Sequence, residues 1–177
     1  MITIRQIKTN QEADQLVLIQ LVRLLQNAVH QGASVGFLSP LSDAQAMAYW
    51  TGVFESLQSD LVLWVAEVDG QVVGSVQLAL CMKANGRHRA DVQKLFVHSD
   101  YRGHGISSRL LTELEAFAIE QKRSLLVLDT EAGSLAEKIY QHWAWVRVGE
   151  IPQYAGRPDG QLTATCYYYK TLAVPVA

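Results

Sequence analysis

The stretch Val92–Ala118, VQKLFVHSDYRGHGISSRLLTELEAFA, constrains this chain more than any other. Val92–Val97 is a short apolar run of β-branched and aromatic residues, which predicts a buried strand. Asp100 and Tyr101 lead into Arg102-Gly103-His104-Gly105-Ile106-Ser107. After it, Leu110, Leu111, Leu114, Phe117 and Ala118 recur at helical spacing and make one face apolar. Strand, glycine turn and helix therefore follow one another directly. A helix start leaves backbone N–H groups unpaired and pointing one way, which suits a phosphate or pyrophosphate. Gly103 and Gly105 have no Cβ, so a ligand can approach the backbone closely.

Two familiar phosphate motifs do not fit. A dinucleotide fingerprint would need a third glycine at position 108, where Ser108 stands, and the GxxxxGK run of a P-loop is missing. The hexad Arg102–Ser107 instead resembles the Gln/Arg-x-x-Gly-x-Gly/Ala signature of the GNAT family of N-acetyltransferases. It departs from that pattern at Ser107, where the family prefers glycine or alanine; His104 departs from the arginine expected of the subfamily it resembles most. Within the family, HQGASVGF, ANGRHRADVQKL, LDTEAGSLAE, VGEIPQYAGRPDGQL and YYYKTL are similar to acetyltransferases of tabtoxin resistance. These strings run through nearly the whole chain.

The order of elements predicts a mixed α/β sheet with helices on both faces. Ile2–Ile7 reads as a strand, residues 12–31 as a long helix stopped at Gly32, and Ser42-Asp43-Ala44-Gln45 as a capping box opening a second helix. LVLWVAEV and QVVGSVQLAL flank Asp69-Gly70 as a hairpin. KANGRHRA is expected to be a loop, SLLVLDT a buried strand and EAGSLAEKIYQHW a short helix. WVRVGEI and ATCYYYKTL are expected to be antiparallel strands joined by a long loop, PQYAGRPDGQ. The resemblance implies the GNAT fold, with a mostly antiparallel central sheet. Residues 1–177 read as a single N-acetyltransferase domain.

Composition narrows the function. With 49% apolar and 18% charged residues the chain is globular. A net charge of −2 gives no electrostatic case for nucleic acid or an anionic membrane. Cys81 and Cys166, the two cysteines, fit a reducing compartment and have no metal-ligand spacing. No apolar run reaches a membrane span. We therefore expect a cytoplasmic protein without a metal.

The resemblance implies acetyl transfer from acetyl-CoA to a primary amine of a small molecule, an amino-acid-like toxin or antibiotic included. A protein N-terminus or lysine as acceptor, and a non-catalytic CoA-binding module, are the alternatives. The oligomeric state, monomer or homodimer, stays open. Leu95, Phe96 and Val97 would bond the pantetheine through their backbone, and Arg102, Gly103, His104, Gly105, Ile106, Ser107 and Ser108 would hold the pyrophosphate. Segments near Ser34–Phe37 and Tyr154–Gly160 would shape the acceptor pocket.

The chemistry needs a proton acceptor for the amine and a donor for the leaving thiolate. Tyr140 occupies the family's place for the acid, although its spacing with Leu135, Ala136 and Ile139 also suits a core tyrosine. Asp91, at the start of the signature strand, stands about where the histone-acetylating branch of the family has a glutamate base; the alternatives are a solvated strand-end carboxylate or a partner for Arg87 or Arg89. Asp129, at the C-terminal end of its strand, either binds or deprotonates the substrate ammonium or caps the next helix.

Overall fold

We analysed a computed structural model, which describes residues 1–8, 12–57 and 59–174, the side chains of 12–14 excepted. In chain order the elements are β1 (Ile2–Ile7), α1 (Glu12–His30), α2 (Asp43–Ser56), β2 (Leu61–Val68), β3 (Gln71–Leu80), β4 (Arg89–Val97), α3 (Ile106–Glu120), β5 (Leu125–Glu131), α4 (Leu135–His142), β6 (Val146–Gly156) and β7 (Leu162–Thr171). A 3₁₀ turn, Ser99–Tyr101, joins β4 to the glycine turn. The strands form one sheet in the order β1-β2-β3-β4-β5-β7-β6. Only the β4–β5 pair is parallel, so the expected mixed, mostly antiparallel sheet is present.

Local chemistry explains the boundaries. Asp69 and Gly70 both have positive φ, 51° and 78°, the conformation a two-residue hairpin turn needs. Gly32 has φ 81°. Around it Ala33 N donates to Ala28 O and Gly32 N to Val29 O, closing α1 with a Schellman motif. Ser42 caps α2 in a complete capping box with Gln45.

Two apolar clusters sandwich the sheet. Leu110, Leu111, Leu114 and Ala118 of α3 pack on one face, together with Leu126 and Leu128 of β5 and Tyr168 of β7. Leu21, Leu24 and Leu25 of α1 and Trp50 of α2 pack on the other, against Leu63, Val65, Val72 and Phe96. That second cluster contains residues of β1–β4 and none of β5–β7. Three of the seven strands, β5–β7, thus add no residue to the apolar cluster under α1 and α2.

Two expectations are corrected. The segment PQYAGRPDGQ is not a long loop, because β6 runs on through Gly156 and only 157–161 connect it to β7. An edge strand accommodates Pro152, which lies in the register shift between Ile151 and Ala155. Asp91 is not the start of its strand, since β4 begins two residues earlier at Arg89. Ala90 thereby pairs with both Leu80 and Leu126.

Candidate functional site

The site begins where two strands part. Parallel pairing between β4 and β5 covers Arg89–Leu125, Ala90–Leu126 and Asp91–Val127, and then stops. From Val92 onward β4 remains paired with β3 alone. Its other edge presents backbone groups to a gap, and this edge contains Leu95, Phe96 and Val97. The Val97 carbonyl accepts a hydrogen bond from Arg102 Nε at 3.3 Å, which ties the strand end to the turn that follows.

That turn is built as an open anion cradle. Gly103 and Gly105 have φ of 80° and 72°, a region costly for residues with a Cβ. A Cβ at either would meet no atom within 4 Å, so open space adjoins the backbone. Gly105 is the N-cap of α3 and supplies no side-chain cap. The first N–H groups of the helix are therefore left for a ligand. His104 folds back over the turn, with Nδ1 donating to Arg102 O at 2.9 Å. Ser99, just upstream, is clamped to α1: its N–H donates to Asn27 Oδ1 at 3.0 Å, while Asn27 Nδ2 donates to Ser99 Oγ at 3.1 Å.

The three predicted chemical side chains converge. Asp129 does not end its strand, because β5 runs two residues further to Glu131; it is exposed within β5, opposite Tyr167 in β7. It makes no hydrogen bond or ion pair among the described residues. Its charge nevertheless acts on Asp91, Lys94, Tyr140 and Tyr167 alike. The capping alternative for Asp129 falls, because Ser134 caps α4 by accepting from Glu137 N. Burial holds the Asp91 carboxyl above its ordinary range; Arg89 opposes this and Asp129 adds to it.

Tyr140 combines both expected characters. Its ring is 6% exposed and packs edge-on against Trp145. Its hydroxyl has no hydrogen-bond partner among the described residues, yet is not among the atoms sealed from solvent. Burial, aided by Asp129, pushes the phenol well above its ordinary value. The hydroxyl therefore keeps its proton throughout the neutral range.

Five further side chains border this space, and of these the sequence places only Tyr154 near it. Lys94 sits at a bulge in β4, where the register shifts between Ser75 and Gln77. Its φ is 52°, and its ammonium lies 5.7 Å from the centroid of the Tyr49 ring. Tyr49 Oη donates to Gln77 Oε1 at 3.2 Å. Burial raises that phenol to about 12, with the Gln77 bond opposing. Tyr167 donates to Tyr154 Oη at 2.6 Å, and this bond leads the causes that push it up to about 12. A lysine interrupting the run Val92–Val97 was the one signal the sequence carried.

The two segments expected to shape an acceptor pocket do meet. Ser39 N donates to Pro158 O at 2.8 Å, and Leu38 Cδ2 lies 3.6 Å from the position a Cβ on Gly156 would take. Phe37 packs edge-on against Tyr49. A cleft of about 390 Å³ lies between α2 and the sheet, lined among others by Tyr49, Gln77 and Gln93.

A model of the acetyltransferase (GNAT) family matches residues 23–142. The chain belongs to the GNAT family. Among curated relatives, N-acetylaspartate synthetase of Danio rerio is 34% identical over 92 residues, covering 51% of this chain and 32% of that protein. An acetyltransferase of Pectobacterium atrosepticum is 46% identical over 56 residues, covering 32% of this chain and 36% of the relative. The chain thus spans about a third of the length of these relatives. Among solved structures, a ribosomal-protein-alanine N-acetyltransferase from Brucella melitensis superimposes with a TM-score of 0.77 at 26% identity, over 96% of this chain and 99% of that one. An acetyltransferase from Salmonella typhimurium, solved with its cofactor acetyl-CoA, shares the fold at a TM-score of 0.75 and 18% identity, over 99% of this chain and 96% of that one. Among the described residues no helix is long and apolar enough to cross a membrane.

Proposed function

We propose that this GNAT domain, over residues 1–177, transfers an acetyl group from acetyl-CoA to the primary amine of a small molecule. The observation that carries the reading is the meeting of two features. An uncapped helix start with open space at Gly103 and Gly105 lies directly beyond a strand edge left unpaired from Val92. A pyrophosphate fits the first, and an extended pantetheine arm fits the second.

Acetyl-CoA would supply the activated thioester. Arg102–Ser108 hold its phosphates through backbone N–H groups, and the backbone of Leu95–Val97 aligns the arm. Asp129 attracts the acceptor ammonium. Asp91, whose carboxyl is held high by burial, takes a proton from the amine so that the nitrogen can attack. Tyr140 offers its hydroxyl proton to the sulfur as the thiolate departs. None of these steps uses a covalent enzyme intermediate, and Cys81 and Cys166 take no part.

The amino-acid product in the name of the Danio relative and the likeness in sequence to tabtoxin resistance support an amino-acid-like acceptor. The Brucella neighbour favours a second reading, a protein N-terminus. Thiol release from acetyl-CoA, measured against amino acids, dipeptides, polyamines, aminoglycosides and N-terminal peptides, tests both. Turnover with small amines is expected. Turnover with peptides alone would select the second reading, and binding of acetyl-CoA without any turnover would leave a CoA-binding module.

A further inference from the structure

We propose that Lys94 binds a carboxylate of the acceptor, making amino acids with a free carboxylate the favoured substrates over plain amines and amides. This rests on the small-molecule reading above and names its substrate class.

The first argument is placement. Asp91 and Gln93 alternate onto the α1/α2 face of β4, so a regular strand would turn residue 94 toward α3. The bulge re-aims it. The Lys94 side chain instead reaches the Tyr49 ring on α2, and its Nζ comes within 3.7 Å of the position a Cβ on Gly36 would occupy. Asp129, alternating with Leu126 and Leu128 of the α3 face, falls on that same α1/α2 face of the sheet, and its charge acts on Lys94. Lysine at φ 52° is locally unfavourable, and such strain persists where surrounding structure enforces it. Here Ser75 Oγ donates to Lys94 O at 3.2 Å and pins the bulge.

The second argument is an unmet charge. Lys94 has no carboxylate or hydrogen-bond partner among the described residues. The protein treats its other shielded lysine differently, because Lys170 pairs with Glu115 at 2.7 Å. Burial depresses the Lys94 ammonium, with Asp129 acting to hold it charged. A half-buried cation beside an aromatic face is only partly compensated. A carboxylate arriving from solution completes the pair.

The third argument is complementarity. Asp129 and Lys94 carry opposite charges on one face of the sheet and influence each other. An amino acid carries the matching pair, with its ammonium for Asp129 and its carboxylate for Lys94. A plain amine satisfies only Asp129.

The test compares α-, β- and γ-amino acids with their primary amides. In the wild type, kcat/KM for at least one free acid should exceed that for its amide by about 10- to 100-fold, mainly through KM. In Lys94→Gln that ratio should collapse toward one, and Lys94→Arg should restore part of it. A wild-type ratio near one for every pair overturns the proposal. So does a ratio that Lys94→Gln leaves intact, or a variant whose main defect is acetyl-CoA affinity. A second measurement needs no turnover and no variant. The Lys94 side-chain NMR signal of the wild type is followed while acetate, which has no amine, is added. A saturable shift is expected, and its absence overturns the proposal. If acetate binds but no amine releases thiol, the carboxylate site stands and the acetyl-transfer reading falls.

Discussion

The starts of α2 and α3 meet the same physical problem and answer it in opposite ways. Each exposes N–H groups that no earlier turn can satisfy. α2 closes itself with Ser42 and Gln45. α3 begins at Gly105, with no side chain to offer. β4 repeats the contrast along its own length. Ala90 and Asp91 are paired on both edges, and the residues beyond on one alone. The lesson is that the site is found where the fold withholds its own hydrogen bonds. Where partners are internal, a residue contributes to stability. Where they are missing, it is held for something that arrives.

Substitutions on the open side should therefore alter catalysis or binding, and those on the closed side stability. The largest effect belongs to Tyr140→Phe. Turnover should fall by about 10²–10⁴-fold if the hydroxyl is the acid, while acetyl-CoA affinity stays near wild type, because the packed ring is retained. Steady-state kinetics with calorimetry decides, and unchanged turnover with chemistry rate-limiting would return Tyr140 to the closed side.

Next comes Gly105→Val, which places a branched side chain at φ 72° beside the open N–H groups. Acetyl-CoA affinity should drop about a hundredfold. A folded variant that binds normally would erase the difference between the two helix starts.

Asp129→Asn sharpens the contrast within the cleft. Acceptor KM should rise about tenfold through loss of a charged contact. The sign of the pH effect also follows. Asp129 raises Asp91, so its neutralisation eases ionisation of Asp91. The acidic limb of kcat/KM, which requires ionised Asp91, should then move to lower pH. A limb that stays put while Asp91→Asn flattens it would uncouple the two carboxylates.

The smallest effect is on the closed side. Ser42→Ala removes a cap and should cost about 1 kcal/mol of stability in denaturant unfolding, with acetyl-CoA binding unchanged. A binding defect would mean that the two helix starts are coupled.

How much of this was legible depended on distance along the chain. The hairpin at Asp69-Gly70, the cap at Ser42 and the cradle at Gly103 and Gly105 are local chemistry, and the sequence announces them. The resemblance brought Asp91, Asp129 and Tyr140 forward, and the fold gathers them around one charge. Lys94 stayed hidden, because a bulge is decided by pairing with β3 and not by the residues of β4. Tyr49 and Gln77 stayed hidden for a related reason. Each looks ordinary in its own helix or strand, and their bond joins residues 28 apart in sequence. Pro152 misled in the other direction, since a proline inside a run suggests a loop unless the strand is known to lie at an edge.

That same edge has a bearing on colloidal behaviour. β6 ends the sheet with Val146, Val148 and Ile151 exposed, the kind of border that recruits strands from other chains. Pro152 has no N–H to offer an incoming strand, and Gln153 at φ 52° turns the backbone out of line. The ladder that a second molecule could extend is broken partway along. A strand that reads as a loop in the sequence is, for that very reason, a poor seed for aggregation.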